Sequence, residues 1–224
     1  MARLRVSGFL IRVYSWSAFP SELVRTKPRN HTNQDQKRHE ASADASSMLL
    51  PLGTGIMNMN RRIVILGFMG CGKTTVATEL ARQLECRFVD LDSFITESQG
   101  RSPAEIIEQD GEPAFRQVES LALAEVLRDR AARVIALGGG TWSVPANRTL
   151  IALHDCLTVW LDAPFEVCWQ RIIDSSRTVR PLAPDRETAK ARFESRRDDY
   201  ALAERKIPIQ PSNSVAAIVE QCLR

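Results

Sequence analysis

The chain has 224 residues, enough for one ordinary domain with its own hydrophobic core and some further sequence. Its hydrophobic fraction of 44% and charged fraction of 25% are typical of a globular protein, and no apolar run reaches the length of a membrane-spanning helix. The cysteines are odd in number and lack metal-ligand spacing, which indicates reduced thiols in a cytoplasmic protein without a zinc site. They are Cys71, Cys86, Cys156, Cys168 and Cys222.

The net charge of +3 is unevenly distributed along the chain. Residues 61–224 carry 22 basic and 23 acidic side chains, whereas the first 40 residues are rich in arginine. A nearly neutral domain gives no support for nucleic-acid binding. We therefore expect neither a nucleic acid nor a membrane as partner.

The first 60 residues show no sustained hydrophobic period, and the polar stretch 25–47 lacks core-forming side chains. Low hydrophobicity of this kind predicts a disordered leader. An arginine-rich, acid-poor start also resembles an organelle transit peptide, so targeting stays open. A third interpretation is a start codon assigned too early, since Met57 and Met59 lie just before the first predicted strand. We expect residues 61–224 to form the single folded domain.

Short β-rich runs alternate with helical patterns from residue 61 onward. The predicted strands lie within 61–67, 86–92, 132–140, 157–163 and 206–210, and the predicted helices span 73–84, 113–130, 144–154 and 164–174. The strands are continuously apolar, which indicates a sheet that is covered on both faces. Alternation of strand and helix implies right-handed βαβ units, so the predicted fold class is α/β with a parallel sheet flanked by helices.

The first predicted turn matches the phosphate-loop pattern G-x-x-x-x-G-K-[ST] at Gly67, Gly72, Lys73 and Thr74, with Gly70 as a further glycine. Glycines let backbone N–H groups converge on an anion, and the following helix adds its positive dipole end. Lys73 would reach the β- and γ-phosphates, and the Thr74 hydroxyl would ligate Mg²⁺. The alternative is a structural glycine turn with a surface lysine. The pattern predicts a nucleoside triphosphate site.

Two carboxylates end the second predicted strand. Asp90 and Asp92 lie two residues apart and therefore on one face, at the edge of a parallel sheet where ligands bind. They are candidates for a water-mediated Mg²⁺ ligand and for a base that serves an acceptor hydroxyl. Capping of the next helix by Asp92 is the alternative, and it accounts for only one of the two.

Two further motifs follow. Arg116 and Glu119 are three residues apart on a predicted helix and can pair, either to orient the guanidinium or as an ordinary surface salt bridge. The third strand ends in a glycine triplet, which allows a small polar ligand to approach the backbone or forms a loose loop. The triplet is Gly138, Gly139 and Gly140.

Together with a later "RPL", these motifs resemble shikimate kinases in order and spacing over residues 61 to about 205. The resemblance implies a five-stranded parallel sheet of the P-loop nucleoside-monophosphate-kinase type, with a mobile lid. It implies transfer of the γ-phosphoryl group of ATP to the 3-hydroxyl of shikimate, in aromatic amino-acid biosynthesis. The expected partner is this small-molecule substrate, and the expected state is a monomer.

The resemblance also implies roles for residues on the nucleotide side. ATP would be bound by Gly70, Cys71, Gly72, Lys73, Thr74 and Thr75. Mg²⁺ would be held by Thr74 with help from Asp90. Arg180, in the polar lid stretch "RTVRPLAP", would contact ATP and stabilise the transferring phosphate, although that stretch could also be a plain surface loop.

On the acceptor side, the resemblance implies that Asp92 hydrogen-bonds the shikimate hydroxyls and acts as, or near, the base. Arg116 and Arg196 would take the substrate carboxylate, and the glycine triplet would contact the ring hydroxyls. Arg196 could otherwise belong to a solvated helix face. The implied catalytic residues are Lys73, Asp92 and Arg180.

Three departures from the family pattern keep alternatives open. Ile107 stands where the family often has phenylalanine, Trp142 stands where a smaller residue is usual, and residues 210–213 lack an arginine often found beside adenine. Trp142 could also be a core residue. One alternative is a kinase of another small polyol acid such as gluconate, and the other is a nucleotide-binding regulator without catalytic chemistry.

Overall fold

The structure is a computed structural model, and it describes residues 61–175 and 182–224. The described residues contain one five-stranded, fully parallel sheet with the strand order β2-β3-β1-β4-β5. Its strands are β1 Ile63–Leu66, β2 Phe88–Asp90, β3 Val134–Ala136, β4 Leu157–Asp162 and β5 Arg205–Pro208. Each strand is followed by at least one helix, as parallel neighbours require, and the predicted α/β fold class is confirmed.

Helices cover the sheet and account for its continuous apolar strands. They are α1 Lys73–Gln83, α2 Leu91–Gln99, α3 Pro103–Asp110, α4 Glu112–Asp129, α5 Pro145–Leu153, α6 Phe165–Asp174, α7 Arg186–Tyr200 and α8 Val215–Leu223, with a 3-10 turn at Thr141–Ser143. Helix α1 packs on α8 and β3, while α4 packs on α2, α3 and α5. All of β1 and β3 is buried, because helices exclude water from both faces of the sheet.

The connection after β1 runs past β3 to β2, whereas the connection after β3 runs past β1 to β4, so the chain leaves these two neighbouring strands in opposite directions. Ligands of open parallel sheets bind beside such strands, at the carboxyl ends. Every predicted site residue that the structure describes lies on an element near this edge. No helix among the described residues is both long and apolar enough to cross a membrane.

The end of the second strand differs from the prediction. Strand β2 stops at Asp90, and Asp92 lies in the first turn of α2. The cap of that helix is Asp90, whose Oδ1 accepts from the amides of Asp92 at 3.1 Å and Ser93 at 3.2 Å. Asp92 is therefore neither a strand residue nor the cap, and its carboxylate stays available to the cleft.

Helices α3 and α8 were not predicted, and α2 and α7 entered only as alternatives, through capping by Asp92 and a helix face that carries Arg196. Helix α3 carries a local signal that accounts for its start: Ser102 and Glu105 form a reciprocal capping box, and Pro103 occupies the first turn. Helix α7 has no such simple apolar stripe. Its buried positions are Ala189, Phe193, Arg196 and Tyr200, so an arginine interrupts the hydrophobic period.

Candidate active site

The phosphate loop is pressed between β4 and α6, and this explains its glycines. Gly67 has a φ of 138°, and a Cβ there would lie 2.8 Å from the backbone oxygen of Leu161. Gly70 has a φ of 78°, and a Cβ there would lie 2.6 Å from the backbone oxygen of Cys168. Any side chain at either position would meet backbone that cannot move aside, so the loop holds its curve only with glycine.

The start of α1 has the features of an anion site. Gly72 precedes the helix without a side-chain cap, and the first turn carries no acidic residue. The first amides of α1 are thus free of side-chain acceptors and add to the positive end of the helix dipole. The Nζ of Lys73 donates to the carbonyls of Gly67 at 3.0 Å and Phe68 at 3.1 Å, which holds the ammonium over the loop. Thr75 is exposed in the same turn.

Two further side chains define the loop, and sequence reasoning found only one of them. The thiol of Cys71 is buried, and burial raises its pKa, so it acts as a filler and not as a nucleophile. Arg171 of α6, which was missed, donates from Nη1 to the carbonyl of Gly70 at 3.2 Å. The helical pattern around Arg171 was predicted, but nothing local indicates that this side chain reaches a loop 101 residues earlier.

The predicted metal ligands lie together. The Thr74 hydroxyl donates to Oδ2 of Asp90 at 2.7 Å, while the other oxygen of Asp90 caps α2. A hydroxyl and a carboxylate beside a phosphate loop fit Mg²⁺, which prefers oxygen ligands and keeps several waters. The described residues contain no cluster of three or more His, Cys, Asp or Glu side chains suited to a metal, so phosphate and water would supply the remaining ligands.

Asp92 has a proton affinity suited to a base. Its pKa is raised to about 6, mainly by burial and also by the nearby charges of Asp90 and Glu119, against the opposing effect of Lys73 and Arg116. Its Oδ1 lies 2.8 Å from the point where a Cβ on Gly138 would stand. The carboxylate therefore lies against the bare backbone that follows β3, and near neutral pH it is mostly ionised while close to its titration range.

Arg116 is held from two sides. Its Nη1 donates to Oε2 of Glu119 at 2.6 Å, and its Nη2 donates to Oε1 of Glu112 at 2.9 Å. The side chain of Glu119 is 1% exposed, and its other oxygen accepts from the Thr141 hydroxyl at 2.6 Å. An ordinary surface salt bridge between Arg116 and Glu119 is thus excluded, because buried partners fix the guanidinium in one orientation.

The glycine triplet is closely packed and is not a loose loop. A Cβ on Gly138 would lie 2.6 Å from Oε1 of Glu119, and a Cβ on Gly140 would lie 2.4 Å from Nη2 of Arg116. A side chain at either position would displace these charged groups, so Gly138 and Gly140 leave room for Glu119 and Arg116. Whether the glycines also contact ring hydroxyls stays a prediction.

Arg196 is a buried cation that forms no ion pair with a carboxylate of the described residues. It is 7% exposed, and its Nη1 lies 3.4 Å from the Cβ position of Gly139. It shares a hydrogen bond with the Tyr200 hydroxyl, which in turn donates to the carbonyl of Gly139. Among the ion pairs of residues 61–175 and 182–224, none involves Arg196. A buried guanidinium in this state favours an anionic ligand.

The remaining predicted residues divide into described and undescribed ones. Arg180 lies outside the described residues. Trp142 is 4% exposed, and its indole N–H donates to the carbonyl of Asp199 at 2.8 Å, so it is a core residue that packs against α7. Ile107 lies on α3, half-buried against the core.

A family profile and curated relatives identify the same family for this chain. The family profile described as shikimate kinase matches residues 69–224. The shikimate kinase of Cereibacter sphaeroides is 40% identical over 149 residues, 65% of this chain and 73% of that protein. The shikimate kinase of Synechococcus elongatus is 37% identical over 162 residues, 72% of this chain and 84% of that protein.

Two solved structures are also similar. The shikimate kinase from Acinetobacter baumannii in complex with shikimate has a TM-score of 0.64 and 30% identity, and the match covers 73% of this chain and 90% of that one. The shikimate kinase from Bacteroides thetaiotaomicron has a TM-score of 0.65 and 27% identity, covering 72% and 96%.

Proposed function

The chain belongs to the shikimate kinase family and phosphorylates the 3-hydroxyl of shikimate with ATP, and we propose that it does so at the carboxyl edge beside β1, β2 and β3. One observation carries the assignment of this site. The buried Arg196, which has no carboxylate among the described residues, lies against Gly139, while Arg116 lies against Gly140. Two guanidinium groups that lie against adjacent glycines suit one substrate carboxylate.

On the nucleotide side, the residues from Gly70 to Thr75 hold the phosphates of ATP with backbone N–H groups. Lys73 exchanges its bonds to loop carbonyls for the β- and γ-phosphates, and Arg171 adds positive charge at the outer side of the loop. Thr74 and Asp90 hold Mg²⁺, which, when bound, neutralises charge on the phosphate oxygens. Arg180 is assigned to the transferring phosphate by the resemblance of "RPL" to the family motif.

On the acceptor side, Arg116 and Arg196 bind the carboxylate, and Asp92 accepts the proton of the 3-hydroxyl. The hydroxyl oxygen forms a bond to the γ-phosphorus, the bond between that phosphorus and the bridging oxygen of ADP breaks, and the proton remains on Asp92. The raised pKa of Asp92 supports this role, since a base is most effective when its pKa lies near the working pH.

An ADP-release assay with shikimate and gluconate side by side tests the proposal. We expect turnover with shikimate and none above background with gluconate, because gluconate is an open chain that cannot present a ring hydroxyl to Asp92 while its carboxylate meets both arginines. Equal turnover with both acids would show that the cleft does not select a ring. If the protein bound nucleotide but turned over neither acid, the result would favour a nucleotide-binding regulator without catalytic chemistry.

We further propose that residues 61–224 are the catalytic unit, and that it acts as a monomer in the cytoplasm. The family profile falls within this range, and all five cysteines are free thiols, as is usual in a reducing compartment. Light scattering of the purified protein checks that it is a monomer, and fractionation of cells checks that it is cytoplasmic. A dimer mass, or recovery in an organelle fraction, would contradict them.

A further inference from the structure

Glu112 at the start of α4 is shared between two arginines from different elements. Its Oε1 accepts from Nη2 of Arg116 at 2.9 Å and from Nη1 of Arg192 at 3.3 Å, and its Oε2 accepts from Nη2 of Arg192 at 3.1 Å. Arg192 lies on α7. The three side chains are between 19% and 33% exposed, so solvent screens these contacts only in part.

Arg192 limits how Glu112 can bind Arg116. With Arg192 in place, one carboxylate oxygen is occupied by Arg192 alone, and Arg116 receives only the other. The guanidinium of Arg116 thereby uses one N–H on each terminal nitrogen, toward Glu112 and Glu119, and keeps its other donors for a ligand. Without Arg192, both carboxylate oxygens of Glu112 could accept from Arg116. Such a two-point pair would turn the remaining donors of Arg116 away from the cleft.

Arg192 also connects α7 to α4. It lies four residues before Arg196, so both side chains project from one face of the helix. The ion pair to Glu112 therefore links the helix that carries Arg196 to the helix that carries Arg116. The spacing of the two guanidinium groups against Gly139 and Gly140 depends on that link.

We propose that Arg192 is a positioning residue for recognition of the substrate carboxylate: it acts through Glu112 to orient Arg116, and through α7 to place Arg196. This inference rests on the proposed function, because it assumes that these two arginines bind the carboxylate. Arg192 itself does not touch the substrate. A bridge that only stabilised the fold would affect binding of any ligand of the cleft, charged or neutral.

The test compares Arg192→Ala and Arg192→Lys in the full-length enzyme. Steady-state kinetics are measured with shikimate and equilibrium binding with both shikimate and its neutral methyl ester. For Arg192→Ala we expect the KM and Kd for shikimate to rise about threefold to tenfold, with kcat changed less than about twofold and the Kd of the ester unchanged. Arg192→Lys restores part of the loss, because an ammonium can pair with one oxygen of Glu112 but not with both.

Lys190→Ala is the matched control, since Lys190 is exposed on the same helix and lies 3.9 Å from Glu194. It should leave both binding constants unchanged. Arg116→Ala is the positive control and should remove most of the preference for the acid over the ester.

If Arg192→Ala unfolds, Glu112→Gln supplies the same comparison, because the amide keeps the volume of Glu112 but loses its charge. Equal weakening of acid and ester binding, or an unchanged Kd for shikimate, would overturn the proposal for Arg192. If wild-type enzyme does not phosphorylate shikimate, the proposed function fails, and that result is separate from the acid-to-ester ratio of the variants.

Discussion

The nucleotide side and the acceptor side of the cleft are built in different ways. The nucleotide side consists mainly of one contiguous stretch, residues 67–75, in which glycines with positive φ shape the loop for phosphate, and only Asp90 and Arg171 reach it from elsewhere among the described residues. The acceptor side combines side chains from α2, α4, the turn after β3 and α7, which are far apart in the chain and are oriented by ion pairs. A contiguous backbone site is present once the local turn forms, whereas an assembled side-chain site depends on how helices pack.

This difference predicts different consequences of substitution. A change on the nucleotide side removes a group needed at the transferring phosphate and should act on turnover. A change on the acceptor side removes one of several groups on an anion that is charged throughout the reaction, so it should act mainly on KM. Asp92 is the exception: it lies on the acceptor side, but its substitution should act on turnover.

Lys73→Ala should have the largest effect. We expect kcat to fall by at least about a hundredfold to a thousandfold, because a preorganised positive charge over the transferring phosphate is lost. Circular dichroism should be unchanged, since the Nζ contacts only two loop carbonyls. A folded variant with substantial residual turnover would mean that the loop does not act on the transferred group.

Asp92→Asn should also act on turnover. We expect single-turnover transfer to fall by roughly 10²–10⁴-fold if Asp92 is the base, with ATP affinity nearly intact. A smaller fall would indicate that it only orients the hydroxyl. In wild type, kcat/KM should decline as pH falls through about 6, where Asp92 takes up its proton, and this acidic limb should be absent in the variant. Transfer at the wild-type rate would place the acceptor site elsewhere.

Arg116→Ala and Arg196→Met should raise the KM for shikimate, by about tenfold to a hundredfold, with a much smaller change in kcat. The two variants should differ in stability. Arg196 is buried and has no carboxylate partner in the part of the chain that the structure describes, so methionine should leave the melting temperature unchanged or raise it. Arg116→Ala leaves the buried Glu119 without a cation and should lower it. KM values equal to wild type would show that neither arginine contacts the substrate.

The raised pKa of Asp92 also predicts a pH-dependent effect on the stability of the fold. Its pKa is raised in the folded protein, so between about pH 4 and 6 the folded state binds more protons than the unfolded state, and stability falls as pH rises. Ionised Asp92 therefore costs stability above that range. In metal-free protein, Asp92→Asn should be more stable by roughly 1–3 kcal/mol at pH 8, and the gain should vanish below about pH 4.

Asp198→Asn, which changes an exposed carboxylate on α7, is the control for this measurement. Urea titrations of the three proteins at several pH values give the comparison. A constant difference between wild type and Asp92→Asn at all pH values would mean that the carboxylate does not titrate differently in the folded state.

The smallest effect is expected from removing the leader. A chain that begins at Met57 should keep full shikimate-dependent activity, because residues 1–56 lack a core-forming period and every residue assigned to the site follows residue 66. Loss of solubility or activity in that chain would make the leader part of the fold.

The sequence by itself was sufficient for the features that depend on neighbours in the chain. The phosphate loop, the parallel sheet and the pairing of Arg116 with Glu119 all follow from local spacing, because a turn, a strand and a helical i,i+3 pair need only a few adjacent residues. Even there, boundaries were wrong where a cap decided them. The carboxylate of Asp90 ends β2 and starts α2, and the apolar run through Leu91 does not indicate this.

Only the tertiary structure decided which side chains meet. It placed Arg171 on the loop, Trp142 in the core and Arg192 on Glu112, across separations of 101, 57 and 80 residues. It also showed that α7 buries Arg196 among its apolar residues. An arginine at a buried position interrupts the hydrophobic period that would otherwise have predicted the helix. The physical reason is common to all four. Burial and charge compensation depend on which helices and strands pack together, and the residues next to a side chain in the sequence do not indicate its partner elsewhere in the fold.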